Sequence, residues 1–191
     1  SPAARGALVK LLIFGGAGFV GLNIAERFLR GGDDVVLFDR APMPEAARAA
    51  FAELPARLET VVADVTDGAA VAGAMSRGVE VVVMGAAVTA GAARDASDPE
   101  TILQVNLLAQ VPILRAARAA GVRRVINLSS AAAFGAAGER EALLAEDTPG
   151  DPVGLYAITK WASERVGARL GGLWGLDVVS VRLSGVFGPW E

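Results

Sequence analysis

The chain has 191 residues, 53% hydrophobic and 20% charged, which allows one sizeable buried core and excludes a disordered chain. Its formal net charge is −3 with both signs interspersed, so no basic stripe indicates a nucleic-acid partner. The absence of cysteine and histidine excludes disulfides, thiolate zinc sites, histidine-ligated metals and Ser-His-Asp hydrolysis.

The apolar run Leu8–Phe14 near the N-terminus has the composition of either a signal-peptide core or a β-strand. The run is short and rich in strand formers, and it ends in Gly15 and Gly16 rather than in a small-residue cleavage site, which favours the strand. No stretch approaches the ~18 apolar residues that cross a bilayer. We therefore expect no membrane association and a cytoplasmic location.

Short β-rich runs alternate with longer helical patterns along the chain. The predicted strands, in order, are Val9–Phe14, Val35–Asp39, Thr60–Ala63, Val79–Met84, Arg124–Ser129 and Val178–Leu183. The predicted helices lie near 19–30, 44–53, 67–77, 98–120 and 154–171. Most strand runs are continuously apolar, as in strands buried on both faces. The alternation predicts one α/β domain over 1–191, with a Rossmann-like doubly wound parallel sheet.

A glycine-rich segment follows the first predicted strand and opens the first helix. Gly15, Gly18 and Gly21 would let the chain turn tightly, let a pyrophosphate approach bare backbone, and let the helix pack on the strand. Free N–H groups at the helix start, around Phe19 and Val20, would attract phosphates. Taken alone, the segment also fits an ordinary tight turn.

The ends of the next three strands support a dinucleotide. Asp39 ends the second strand at the distance expected for an acid that hydrogen-bonds an adenosine ribose, and it would repel the 2′-phosphate of NADP. The sequence therefore favours NAD, while Arg40 keeps NADP as the alternative. Further cofactor contacts are expected at the ends of the third and fourth strands, from Asp64, Val65, Gly85, Ala86 and Ala87.

Tyr156 and Lys160 lie four residues apart, so they share one face of the last predicted helix. Tyr156 is the only tyrosine, and a nearby ammonium would favour its phenolate form. Ser129 and Ser130, at the end of the fifth strand, can bring a hydroxyl to the same place. Without the upstream glycine-rich segment, the Tyr–Lys pair would fit an ordinary solvated helix face. No metal site is expected.

These motifs, in this order, resemble the extended short-chain dehydrogenase/reductases, the NAD-dependent epimerase/dehydratase family, from Leu8 to Pro189. The resemblance implies that Tyr156 is the general base, and that Lys160 binds the nicotinamide ribose and tunes Tyr156. Counted back from Gly135, Ser130 matches the family's catalytic Ser or Thr, with Ser129 as the neighbouring alternative. Asn106 matches an asparagine common in the family, in a structural or cofactor-binding role rather than a chemical one.

The sequence departs from the family pattern in two places. Dehydratases and decarboxylases of the family carry acids just after the catalytic Thr, where this chain has Ala131 and Ala132. Sugar-nucleotide enzymes often carry Asn where this chain has Gly185, which weakens the case for a nucleotide-sugar substrate. Family members also continue past Pro189 with a portion that builds much of the substrate pocket. We therefore expect that the C-terminal substrate portion is largely missing here.

The predicted reaction is hydride transfer between NAD and a secondary alcohol or ketone, with a sugar or sugar nucleotide as the favoured small-molecule substrate. One alternative is an NAD(P)-dependent dehydrogenase or reductase of a non-sugar alcohol or ketone. The other is a non-catalytic dinucleotide-binding sensor, which would have no use for Ser130, Tyr156 and Lys160. A homodimer is also compatible with this interpretation, although no residue specifies it.

Overall fold

The computed structural model describes residues 8–89, 91–140 and 143–191. Within them, six strands form one sheet: β1 Lys10–Phe14, β2 Asp34–Asp39, β3 Leu58–Val62, β4 Val81–Met84, β5 Arg124–Ser130 and β6 Val178–Leu183. The spatial order is β3-β2-β1-β4-β5-β6, and each neighbouring pair is parallel. This is the order of a doubly wound sheet, so the predicted Rossmann-like α/β class is confirmed.

The strands form where apolar, β-branched residues are concentrated. The four inner strands are largely buried, as the continuous apolar runs predict. The two edge strands do not follow that prediction: Val62 on β3 and Val179 and Val181 on β6 are exposed. An edge strand has one neighbouring strand, and here the flanking helices leave part of its surface uncovered.

Eight α-helices occur in the described ranges, with a π-helical turn between the fifth and sixth and a 3₁₀ turn directly after β5. They are α1 Phe19–Gly31, α2 Glu45–Ala52, α3 Gly68–Met75, α4 Ala92–Ser97, α5 Pro99–Leu103, α6 Gln110–Ala119, α7 Ala137–Arg140 and α8 Leu155–Trp174. None of these helices is long and apolar enough to cross a bilayer.

Two hydrophobic clusters cover the two faces of the sheet. Because side chains alternate along a strand, Leu11 and Ile13 of β1 enter one cluster, and Leu12 and Phe14 enter the other. The first cluster includes buried residues of α1 and α2, and the second includes buried residues of α3 and α6. Helices therefore pack on both faces of the sheet, and the carboxyl ends of its central strands remain accessible to a ligand.

The long helix predicted over 98–120 is interrupted. Gln104–Leu108 forms a π-helical turn between α5 and α6, and the wider turn contains the buried Asn106. Such turns inside α-helices recur at functional sites. Helix α4 was not predicted, because none of its residues is buried and it therefore shows no apolar periodicity.

Candidate active site

One groove runs across the carboxyl ends of the central strands, where the strand order reverses between β1 and β4. Its Asp39 half is lined by residues that include Gly15, Gly18, Asp39, Arg40, Asp64, Val65, Gly85, Ala86 and Ala87. Its Tyr156 half is lined by residues that include Gly18, Phe19, Val20, Gly21, Ala87, Ser130, Tyr156 and Lys160. The structure thus brings every predicted site residue except Asn106 to one groove.

The three glycines of the predicted motif, Gly15 and Gly18 in the loop after β1 and Gly21 in α1, have three different surroundings. Gly15 has φ +75°, and a Cβ there would lie 2.7 Å from the backbone N of Ala86 at the end of β4. A Cβ on Gly21 would overlap the Gly15 carbonyl oxygen, so this glycine allows α1 to pack on the loop. Gly18 lines the groove, where a Cβ would meet only the Gly15 carbonyl oxygen, at 3.4 Å. Gly18 is therefore the glycine whose backbone a ligand can approach.

The N-terminus of α1 opens into this groove. Gly18 precedes the helix and has no side chain that could cap it. The first N–H that is bonded within the helix is that of Leu22, which donates to the Gly18 carbonyl at 2.9 Å. The N–H groups of Phe19, Val20 and Gly21 precede this bond and have no acceptor inside the helix. Such groups at the positive end of a helix dipole suit a phosphate.

Asp39 joins the end of β2 to the glycine-rich loop. One carboxylate oxygen accepts from the Ala17 N–H at 3.1 Å, and the other accepts from the Ala41 N–H at 3.0 Å. Each oxygen has a second lone pair, so the carboxylate can also accept a ribose hydroxyl. Arg40 is exposed at the same edge of the groove.

Residues that follow β3 and β4 line the rest of the Asp39 half of the groove. Asp64 is exposed and accepts from the N–H and the hydroxyl of Thr66, at 2.8 and 2.6 Å, and these bonds lower the pKa of its carboxyl. Val65 is buried beside it. At Gly85 a Cβ would lie 3.0 Å from the Phe14 carbonyl oxygen, which shows how closely β1 and β4 approach at this end.

Helix α8 carries Tyr156 and Lys160 into the other half of the groove. Lys160 Nζ lies 5.7 Å from the centre of the Tyr156 ring and donates to the Leu128 carbonyl at 2.7 Å. At the end of β5, Ser130 Oγ accepts from the Ala132 N–H at 3.1 Å, which leaves its own O–H free to donate. The phenol, the ammonium and a serine hydroxyl therefore line one wall of one groove.

The Lys160 side chain is buried. The residue is 6% exposed, and burial lowers its pKa from 10.5 to about 8. At neutral pH the group still carries its proton, but less firmly than a surface lysine does. A partner that offers oxygen acceptors in the groove would favour the charged form.

Asn106 lies behind the groove wall rather than on it. Its carboxamide accepts from the Val88 N–H at 2.7 Å and donates to the Val88 carbonyl at 3.0 Å. It also donates to the Thr159 hydroxyl at 3.3 Å, between Tyr156 and Lys160 on α8. Its direct contacts are therefore with the protein, and they fix the segment after β4 to α8.

Several residues at the site were not predicted. Thr89, Ser184 and Val186 line the Tyr156 half, and the last two follow β6 in the stretch that ends at Pro189. Glu164, one helical turn beyond Lys160, is hydrogen-bonded to Ser129. Its spacing of four residues from Lys160 is a signal that the sequence does contain.

The two halves form one continuous groove because they share Gly15, Gly18, Gly85 and Ala87. An uncapped helix N-terminus lies at the middle, a carboxylate at one end, and a phenol–ammonium pair at the other. This arrangement fits a nicotinamide–adenine dinucleotide, with its pyrophosphate at Gly18 and its adenosine at Asp39. No group of acidic residues in the described ranges is arranged to hold a metal ion.

The fold and this groove define a Rossmann-type, dinucleotide-binding protein with a Ser/Tyr/Lys site. The sequence profile of the NAD dependent epimerase/dehydratase family matches residues 11–191. The chain belongs to this family, and the predicted resemblance is confirmed.

The relatives differ in substrate. The chain is 31% identical to a UDP-glucose 4-epimerase of Mycolicibacterium smegmatis, covering 95% of this chain and 57% of the relative. It is 30% identical to a 3-beta-hydroxysteroid dehydrogenase of Mycolicibacterium neoaurum, covering 98% and 50%. A solved structure, the UDP-glucose 4-epimerase of Thermus thermophilus in complex with NAD, is 30% identical, with a TM-score of 0.78, covering 91% and 54%. The chain thus spans about half the length of these relatives.

Proposed function

We propose that this chain forms the cofactor-binding half, and the acid–base centre, of an NAD-dependent enzyme that oxidises and reduces a secondary alcohol. The main support for this proposal is that Ser130, Tyr156 and Lys160 line one half of a groove, and the other half of that groove fits adenosine. A sensor that only binds the dinucleotide has no need of this set. The favoured substrate is a sugar nucleotide, as in the epimerase relatives, and the favoured reaction is epimerisation.

The groove gives each residue a separate task. The Ser130 hydroxyl donates to the substrate oxygen, and Tyr156 takes the proton from that oxygen as the phenolate or returns it as the phenol. Lys160 would hold the nicotinamide ribose through hydrogen bonds from its ammonium. Bound NAD would supply the hydride acceptor for oxidation of the alcohol carbon and the hydride donor for the reverse reduction, which in an epimerisation would occur on the opposite face of that carbon.

A second candidate is a dehydrogenase of an apolar alcohol, such as a 3β-hydroxysteroid. Apolar side chains, including Leu128, Leu183 and Val186, line part of the Tyr156 half of the groove. Gly185 replaces the asparagine that many sugar-nucleotide enzymes use. A relative of this second class matches almost the whole chain.

The test uses the natural full-length protein with NAD. UDP-galactose and a 3β-hydroxysteroid are offered separately, and formation of UDP-glucose or of NADH with ketone is followed. Epimerisation of UDP-galactose supports the first proposal, and NADH formation with the steroid supports the second. Tight NAD binding without turnover of either substrate would favour the sensor.

A cytoplasmic location and a homodimer belong to the same proposal. Cell fractionation would test the location, and ultracentrifugation would test the homodimer.

A further inference from the structure

A partly buried ion pair lies at the end of β5, next to the two serines, and joins Glu164 of α8 to Arg182 of β6. Glu164 is on the face of α8 that also carries Tyr156 and Lys160, because the three are spaced four residues apart. Its carboxylate accepts from Arg182 Nε at 2.9 Å and from Arg182 Nη2 at 2.8 Å. The two side chains are 11% and 17% exposed. Burial raises the pKa of the Glu164 carboxyl, but the bonds from Arg182 and Ser129 outweigh burial and hold it low, so the pair stays ionic at neutral pH.

Glu164 distinguishes the two neighbouring serines at the end of β5. The Ser129 hydroxyl donates to Glu164 at 2.5 Å, and Ser129 is buried. Successive side chains of a strand alternate in direction, so the Ser130 hydroxyl does not share this contact with Glu164, and it lines the Tyr156 half of the groove. Because the Ser129 hydroxyl donates its only proton to Glu164, it cannot donate to a substrate. The Ser130 hydroxyl can still donate to one.

Arg182 supports the turn that follows Ser130. Its guanidinium lies 4.2 Å from the centre of the Phe134 ring, and Phe134 ends the 3₁₀ turn that Ser130 caps. Arg182 also belongs to β6, just before the segment that lines the Tyr156 half. The ion pair thus joins the Tyr156 helix, the Ser130 turn and the end of β6.

Stability alone gives a weak reason for such a partly buried pair, because exposed ion pairs add little to stability and buried ones can often be replaced by apolar residues of similar volume without loss. In addition, Arg182 Nη1 is buried and finds no acceptor among the described residues. We propose that Glu164 and Arg182 are positioning residues, which hold the Ser130 turn and the Tyr156 helix in register for proton transfer. This inference rests on the proposed function, and it adds that the Glu164–Arg182 ion pair fixes the geometry of the site.

The test compares two charge-neutral double variants of the natural full-length protein. Glu164→Leu with Arg182→Met removes the pair. Arg124→Gln with Asp177→Asn, the control, removes an exposed pair at the opposite end of β5 and β6. The first variant should lose about 10²-fold in kcat on UDP-galactose, as a misplaced catalytic group does, with KM for NAD nearly unchanged. The control should lose neither. Equal kcat losses in both variants, or a loss confined to KM for NAD, would overturn the proposal.

Hydrogen exchange decides the inference even if UDP-galactose is not a substrate, which would count against the proposed function alone. The Ala132 amide, bonded to Ser130, should exchange at least about tenfold faster in the first double variant, with the glycine-rich loop unchanged. Unchanged exchange at Ala132 would overturn the proposal. If that variant does not fold, Arg182→Lys, which keeps the charge but loses the two-point bond and the planar stack, takes its place with the same readouts.

Discussion

Replacing Lys160 with methionine is expected to stabilise the cofactor-free protein at neutral pH. Burial lowers the Lys160 pKa from 10.5 to about 8, which corresponds to about 3 kcal/mol against the charged form in the folded state. Methionine is flexible and uncharged, but loss of the hydrogen bond to Leu128 offsets about 1 kcal/mol of this. The net gain of about 2 kcal/mol in the free energy of unfolding should raise Tm by about 4–8 °C.

This gain has a definite pH dependence. Below pH 8 Lys160 is charged in both the folded and the unfolded wild type, so the full cost of its burial is present. Between pH 8 and 10.5 the folded state loses the proton first, so wild-type stability rises with pH and the advantage of the variant shrinks. Above pH 10.5 the difference due to charge is gone.

Urea unfolding of both proteins at pH 7 and at pH 10.5, followed by tryptophan fluorescence, measures the difference. The matched control is Lys10→Met at the only other lysine, which is paired with Glu59 at 2.8 Å. Because that variant loses an ion pair, it should gain no stability. The reasoning is refuted if Lys160→Met is no more stable than wild type at pH 7, or if its advantage is undiminished at pH 10.5.

Three further variants or titrations address the cofactor and the chemistry. The Gly18→Val variant should fold normally, because the valine side chain enters the open groove. Calorimetry should show that it binds NAD more than about tenfold more weakly. Unchanged NAD affinity in a folded variant would show that the loop is only a turn. The same calorimetry should give tighter binding of NAD than of NADP because of Asp39, and equal or tighter NADP binding would point to Arg40 instead. In the full-length protein, Tyr156→Phe should cut turnover about 10²–10⁴-fold and leave NAD affinity nearly intact, and full retained activity would exclude Tyr156 as the base.

Local patterns in the sequence were sufficient for most of the fold. The inner strands were predicted because runs such as Leu11–Phe14 and Val35–Phe38 must be buried wherever they lie, and each run is bounded by polar residues or glycine. The interruption at Gln104–Leu108 was not predictable in the same way. Its residues suit an α-helix individually, and the π-helical turn places the buried Asn106 carboxamide against Val88, eighteen residues earlier.

In the candidate site, too, local patterns predict some features and only long-range packing determines the others. Short-range motifs predict part of the site, because the spacing of Gly15, Gly18 and Gly21 indicates a cofactor loop and the spacing of Tyr156 and Lys160 indicates a shared helix face. Ser129 and Glu164 are in contact although they lie 35 residues apart in the sequence, and no short motif contains both of them. Periodicity places each of these side chains on a face of its element. Only the packing of α8 on β5 decides that the two faces meet.

The bonds that Asp39 makes have a consequence for attempts to redesign the cofactor preference. The obvious route to an NADP-dependent variant is to exchange this acid for a small or basic residue. In this chain the same carboxylate also anchors the Ala17 and Ala41 amides, so the exchange would also release the glycine-rich loop, which we propose as the pyrophosphate site. Asn or Ser at position 39 would keep one acceptor for those amides without the negative charge. The basic group for the phosphate is then better supplied at the exposed position 40.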